Sequence, residues 1–190
     1  MDLGRTALRL VIGPLFVGHG TQKLFGWFGG HGIEGTSGFF EKLGLRPGKR
    51  HATAAGFSEA AGGALLTLGA LTPVAAGLIT GTMVTAIRKV HAPKGPWNTD
   101  GGYEYNLTLI AAMAALAEVG PGRPSVDASV FPRLKGNGLA LAQFAGATAA
   151  AALLTADRTN AQPAADTADD TQAERQNRFA REEAEVPAGS

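Results

Sequence analysis

The chain has no cysteine. It therefore forms no disulfide, offers no thiolate to a metal and carries no thiol nucleophile. Any thiol chemistry it serves must reside on a partner or substrate. Charge is scarce as well. Asp, Glu, Lys and Arg supply 17% of the 190 residues, against roughly 25% in soluble domains. The net charge is +1, and no basic stripe with interleaved aromatics occurs. Nucleic acid is therefore not an expected partner. No flavin fingerprint, haem-attachment motif or metal-ligand spacing is present. Arg5 and Arg9 precede Leu10-Val11-Ile12 as in a signal peptide, but no A-x-A-like cleavage site follows. The segment is expected to continue as a helix.

What is there is apolar. Residues 60–87 contain no charge, and Thr72-Pro73 divides them. At about 1.5 Å per residue, one unbroken helix would far exceed a hydrocarbon core of about 30 Å. Two helices joined by a tight turn match it. Thr72 suits the cap of the second, and Pro73 its first turn, where no amide donor is needed. The mean hydropathy of +0.04 averages this apolar body with a polar tail.

Five segments follow. The first covers 4–28, with Arg5, Arg9 and Lys23 able to snorkel. Gly29, Gly30 and Gly32 end it, and a short amphipathic helix is expected near 36–43. The second covers 52–71, the third 73–91 and the fourth 103–119, which stops at Gly120-Pro121. Residues 123–137 read as a linker. A fifth apolar stretch, 138–156, is rich in Ala and long enough to span. The acidic tail, 157–190, is expected to be mostly disordered. The fold class predicted is all-α, a membrane-embedded antiparallel four-helix bundle over 1–122 with a fifth C-terminal apolar helix. Ala52, Gly56, Ala60 and Ala64, and then Gly77 and Gly81, repeat small residues every fourth position, which lets helices approach closely in lipid. Lys42, Arg46, Lys49, Arg50, Arg88, Lys89 and Lys94 fall in the connections of one face. The positive-inside rule places that face in the cytoplasm.

The polar residues collect on this same face. In an up-and-down bundle the 1–2 and 3–4 connections lie together. His19, Gln22 and Lys23 form one helical stripe. Glu59 shares a face with Ala52, Gly56 and Gly63 and should point inward. Arg88, His91, Asn98, Asp100, Tyr103 and Glu104 follow near the third and fourth segments. Trp27, Trp97, Tyr103 and Tyr105 make a one-sided aromatic belt. An ionisable group at bilayer depth costs roughly 2.5–3.5 kcal/mol on insertion scales, so it persists when paired or functional. Two roles fit Glu59: an ion pair with Lys23 or Arg88, and a carboxylate that handles protons or contacts a ligand. His19 fits helix packing or a hydrogen bond to a ligand. Lys23 fits an interfacial snorkeller or an ion-pair partner.

Gly18-His19-Gly20, then Lys23-Leu24-Phe25-Gly26, Gly35-Thr36, Glu59 between Gly56 and Gly63, His91, and Asn98-Thr99-Asp100-Gly101-Gly102-Tyr103-Glu104-Tyr105 together resemble the DoxX family of small bacterial membrane proteins. The resemblance runs over residues 5–122. Residues 136–190 have no counterpart in the family pattern. The resemblance implies a multi-pass four-helix bundle in the bacterial cytoplasmic membrane, associated with quinone-linked or thiol- and sulfur-linked redox chemistry. The expected partners are the lipid bilayer and proteins of a membrane redox complex; homo-oligomerisation stays open.

A quinone is the cofactor this reading expects. His19, Lys23, His91, Asn98, Tyr103 and Glu104 would form its pocket, with Glu59 and His19 handling protons. The alternatives are a non-catalytic scaffold or assembly protein that recruits partners through its acidic tail, a small proton-coupled transporter, and haem ligated by His19 and His91.

Overall fold

A computed structural model of the chain describes residues 2–156; the expected disordered tail lies outside the described residues. No strand occurs among the described residues. The elements are α1 (Leu3–Phe25), α2 (Gly32–Lys42), α3 (Gly48–Leu68), α4 (Thr72–Ala86), α5 (Glu104–Val119), α6 (Val126–Val130) and α7 (Asn137–Thr155). The all-α class holds. Helices α1, α3, α4 and α5 form the four-helix bundle, and α7 packs on α4 and α5 as the fifth helix.

Glycine sets two of the helix ends. Gly26 takes a left-handed conformation at φ 73° and donates to the Gln22 carbonyl, closing α1. At the end of α3, Gly69 (φ 61°) donates to Leu66 O and Ala70 to Leu65 O. That is a Schellman closure, which satisfies two carbonyls the helix leaves open. The amphipathic helix anticipated near 36–43 is present but starts earlier, at Gly32. Its first-turn Glu34 complements the positive helix terminus. A wider π turn, Ile87–His91, prolongs α4. The third segment therefore reaches His91, as anticipated.

Two local expectations are corrected. Thr72 does not cap α4 with its own side chain. Asp127 does so from 55 residues further along the chain. Its carboxylate accepts the backbone N–H groups of Leu71 and Thr72, each at 2.8 Å, and the Thr72 hydroxyl at 2.6 Å. A full charge from another segment satisfies these donors better than a local hydroxyl. Second, Arg9 does not snorkel. It is 2% exposed and donates to the carbonyls of Pro121 (2.8 Å), Thr67 (3.0 Å) and Pro124 (2.6 Å). Three prearranged carbonyls replace the water its guanidinium would otherwise need. The 123–137 stretch thus holds both α6 and the groups that fix this end of the bundle. At the same end, the Arg123 backbone N–H and Arg5 hold the Asp2 carboxyl below its ordinary range.

Small residues set the α1–α3 distance. A Cβ built on Gly63 would lie 2.5 Å from Gly13 O and 2.7 Å from Val17 N. One on Gly20 would lie 2.6 Å from Gly56 O. The contact face of α3 runs through Gly56, Ala60, Gly63 and Thr67, whereas Ala64 is exposed. A strict four-residue spacing drifts off a 3.6-residue helix, so the stripe steps back by one. Gly77 and Gly81 differ. A Cβ there would meet Gln143 or Ala147 of α7 only at 3.8 Å, an ordinary contact. Gly63→Ala should therefore destabilise by about 1–3 kcal/mol through overpacking. Gly77→Ala should be neutral or stabilising by up to about 1 kcal/mol through helix propensity. Thermal denaturation in detergent checks both; equal effects would show that close approach is not specific to α1–α3.

Ile12, Phe16, Leu66, Ile79, Leu109, Met113 and Leu116 form the core. Large apolar side chains also cover the outside, among them Leu10, Val11, Leu15, Phe57, Val74, Leu141 and Leu153. So broad an apolar exterior marks a surface made for something other than water. Among the described residues, one helix, α7, is long and apolar enough to cross a membrane by length and composition alone. The other helices are broken by charge or are shorter. Helix α1 carries Arg5, Arg9 and Lys23; α3 carries Lys49, Arg50 and Glu59; α4 has 15 residues before its π turn.

Candidate functional site

A cavity of about 550 Å³ opens between α1, α2, α3, α4, α5 and α7, at the end where the 26–47 and 87–103 connections lie. Most of its wall is apolar, including Phe16, Phe39, Phe40, Leu45, Leu78 and Leu109. The local chain explains why polar groups reach it. Helix α1 ends at Phe25, two residues after Lys23 and six after His19, and both side chains line the cavity. Close approach of α3 at Gly56 and Gly63 brings Glu59 to the same level.

Glu59 is 4% exposed, and Lys23 Nζ donates to its Oε2 at 2.6 Å. Of the two partners open to Glu59, the structure selects Lys23. Arg88 instead donates from Nε to the Thr155 hydroxyl at 2.7 Å, tying α4 to the end of α7. The ion pair is asymmetric. The Lys23 side chain keeps 26% of its exposure, whereas that of Glu59 keeps 5%. His19 Nδ1 pairs with Gln22 Oε1 at 3.1 Å, and its ring meets Phe16 edge-on. His91 Nδ1 donates to the Gly101 carbonyl at 2.6 Å. A carbonyl can only accept, so the neutral His91 ring carries its proton on Nδ1. Its Nε2 is then an acceptor.

Of the residues expected in a pocket, His19, Lys23, Glu59, His91 and Asn98 line this cavity; Tyr103 and Glu104 do not. Tyr103 precedes α5, and its carbonyl accepts the Leu107 N–H. Glu104 Oε1 accepts the Asn98 N–H at 2.8 Å and so holds the loop.

Several polar lining residues were not assigned a site role from the sequence, Asn106, His51 and Tyr105 among them. Asn106 is buried, with Nδ2 3.3 Å from Met83 Sδ. A lone amide in the apolar run Asn106-Leu107-Thr108-Leu109-Ile110 was the signal for it. His51 and Tyr105 also line the wall. His51 lies near a loop in sequence and carries no such signal. Tyr105 reads by type as a belt residue, and it is both exposed and at the cavity. Among the described residues, no cluster of three His, Cys, Asp or Glu side chains suits a metal.

An all-helical bundle with an apolar outer surface and an ion pair on the wall of its cavity fits a small membrane protein. The DoxX family model matches residues 4–92. The chain is also 31% identical over 115 residues to "Putative oxidoreductase CatD" of Bacillus subtilis (strain 168). That alignment covers 60% of this chain and 79% of the relative. The chain belongs to the DoxX family, a membrane family. No solved structure matches it. The family model takes in His19, Lys23, Glu59 and His91, while the Asn98–Tyr105 motif and α7 lie beyond its span.

Proposed function

We propose that this protein is a multi-pass subunit of a redox system in the bacterial cytoplasmic membrane, and that its cavity binds the head group of a quinone. The observation that carries the reading is the Lys23–Glu59 pair on the wall of a mostly apolar cavity of about 550 Å³. That volume lies within the usual range for small-molecule sites, roughly 300–1,000 Å³. The name of the Bacillus subtilis relative adds support for a redox role.

The chemistry assigns distinct roles. Quinone carbonyls accept hydrogen bonds. Lys23 gives one N–H to Glu59 and has two more to offer. The side-chain amides of Asn98 and Asn106 are further donors at the wall. Quinol hydroxyls donate, and His91 Nε2 suits one of them. Reduction of the quinone consumes two electrons and two protons. The electrons come from a reduced substrate or another subunit, since this chain has no cysteine or recognisable cofactor motif. Lys23 passes its ammonium proton to one reduced quinone oxygen and is reprotonated from water, to which its side chain keeps 26% exposure. The Glu59 carboxylate stabilises the charged form of Lys23, and a second proton drawn from water completes the quinol.

The test is direct. Protein purified in detergent is titrated with a short-chain ubiquinone and a short-chain menaquinone analogue. Lys23→Gln should weaken binding at least roughly tenfold, the loss of one charge-assisted hydrogen bond. Absence of saturable binding of either analogue to the wild-type protein would sink the proposal.

A further inference from the structure

We propose that residues 42–50, which join α2 to α3, form a preformed docking surface for the anionic headgroups of phospholipids. The inference rests on the membrane-spanning reading above and goes beyond the cavity.

Lys42, Arg46, Lys49 and Arg50 fall within nine residues, and all four are exposed. The neighbouring carboxylates do not neutralise them. Glu41 is committed to the backbone, accepting the Gly48 N–H at 3.2 Å. Glu34 meets only Lys49, at 3.4 Å across an exposed surface, where a pair is worth little. Among the described residues no carboxylate pairs with Lys42, Arg46 or Arg50.

The segment holding these cations is anchored. Leu45 is buried between them and lines the cavity wall. A Cβ on Gly48 would lie 2.5 Å from Glu41 Cγ and 3.1 Å from the carbonyl carbon of Ser37, so α2 and α3 touch there. Buried Leu45 and the tight Gly48 contact fix the backbone, and the basic side chains project from it. Little backbone order remains to be lost on binding.

Depth favours lipid as the occupant. Trp27, Phe28 and Trp97 are exposed at the same end of the bundle, Phe28 by 76%. Exposed aromatic rings of this kind sit at headgroup level. Four cations at that level face phosphates, and each Lys or Arg near such a surface contributes roughly a fivefold preference for anionic lipid. The acidic 157–190 tail is the competing occupant by charge.

The experiment uses the full chain in nanodiscs of phosphatidylcholine mixed with phosphatidylglycerol. Lipids retained on detergent extraction are quantified by mass spectrometry. The wild-type protein should retain phosphatidylglycerol above the bulk ratio. The triple variant K42Q/R46Q/R50Q should return to the bulk ratio, while R133Q at the other end should keep the enrichment. A wild-type chain at the bulk ratio, or an unchanged triple variant, would overturn the proposal. So would enrichment that emerges only in D169N/D170N/E182Q/E183Q, because the tail would then be the native occupant. Failure of the spanning reading itself would show separately, as release of the chain from membranes by alkaline carbonate.

Discussion

Replacing Lys23 with alanine should destabilise this protein by about 3–5 kcal/mol, the usual cost of stranding one member of a buried ion pair. Glu59→Ala should cost less, about 1–3 kcal/mol, in spite of removing the same contact. The reason is the unequal burial of the two partners. Glu59 is nearly sealed, so without Lys23 its carboxylate has neither water nor a counter-ion. Lys23 keeps a quarter of its side-chain exposure and can turn its ammonium group toward solvent. The double variant K23M/E59L should recover much of the loss from Lys23→Ala, since apolar replacement removes both desolvation penalties. Thermal denaturation of the four proteins in one detergent measures the cycle. A Glu59→Ala loss equal to or larger than that of Lys23→Ala would contradict the asymmetry. The same set separates stability from binding: K23M/E59L should be stable and still fail to bind the quinone analogues.

The second large effect is expected at the opposite end of the bundle. Asp127→Ala should cost about 3–5 kcal/mol. The carboxylate is 1% exposed and accepts three hydrogen bonds at the start of α4. Hydrogen bonds to a charged group are worth about 1.5–3 kcal/mol each, although they do not simply add. Asp127 also attracts the Arg9 guanidinium, which lies buried among the carbonyls of residues 67, 121 and 124. Its loss leaves that cation without a counter-charge. Thr72→Val removes one of the three bonds and should cost about 1 kcal/mol. Asp127→Asn keeps an acceptor oxygen but turns amide hydrogens toward other donors, so it should fall between the two. Denaturation midpoints for the three variants test the ordering. A Thr72→Val effect as large as that of Asp127→Ala would mean that the cap is local after all.

These two predictions sit on residues of very different legibility. Glu59 stood out because a carboxylate inside an apolar run is expensive, and its face could be read from helical spacing with Gly56 and Gly63. Its partner remained open between Lys23 and Arg88, because spacing gives a face and not a distance. Asp127 gave no signal. It lies in a short polar stretch after Gly120-Pro121, where acidic residues are ordinary, and its partners are more than fifty positions away. Arg9 misled for a related reason. A cation near a helix end usually reaches for water, and only the path of residues 121–124 supplies the carbonyls that bury it. Tyr103 and Glu104 belong to a motif that carries the family resemblance, and they turn out to hold the loop beside the cavity.

The sequence by itself determined the all-α class, the number of long helices and most of their ends. Those depend on local matters: apolar runs, glycine at left-handed positions, and proline in a first turn. It also determined that His19, Lys23, His91 and Asn98 share one end, since alternating helices bring the first and third long connections together. Tertiary structure decided which charges meet, which small residues touch and which side chains wall the cavity. Those outcomes depend on the separation and rotation of packed helices, set at Gly13, Gly20, Gly56 and Gly63 by contacts between segments that lie about forty residues apart in the chain.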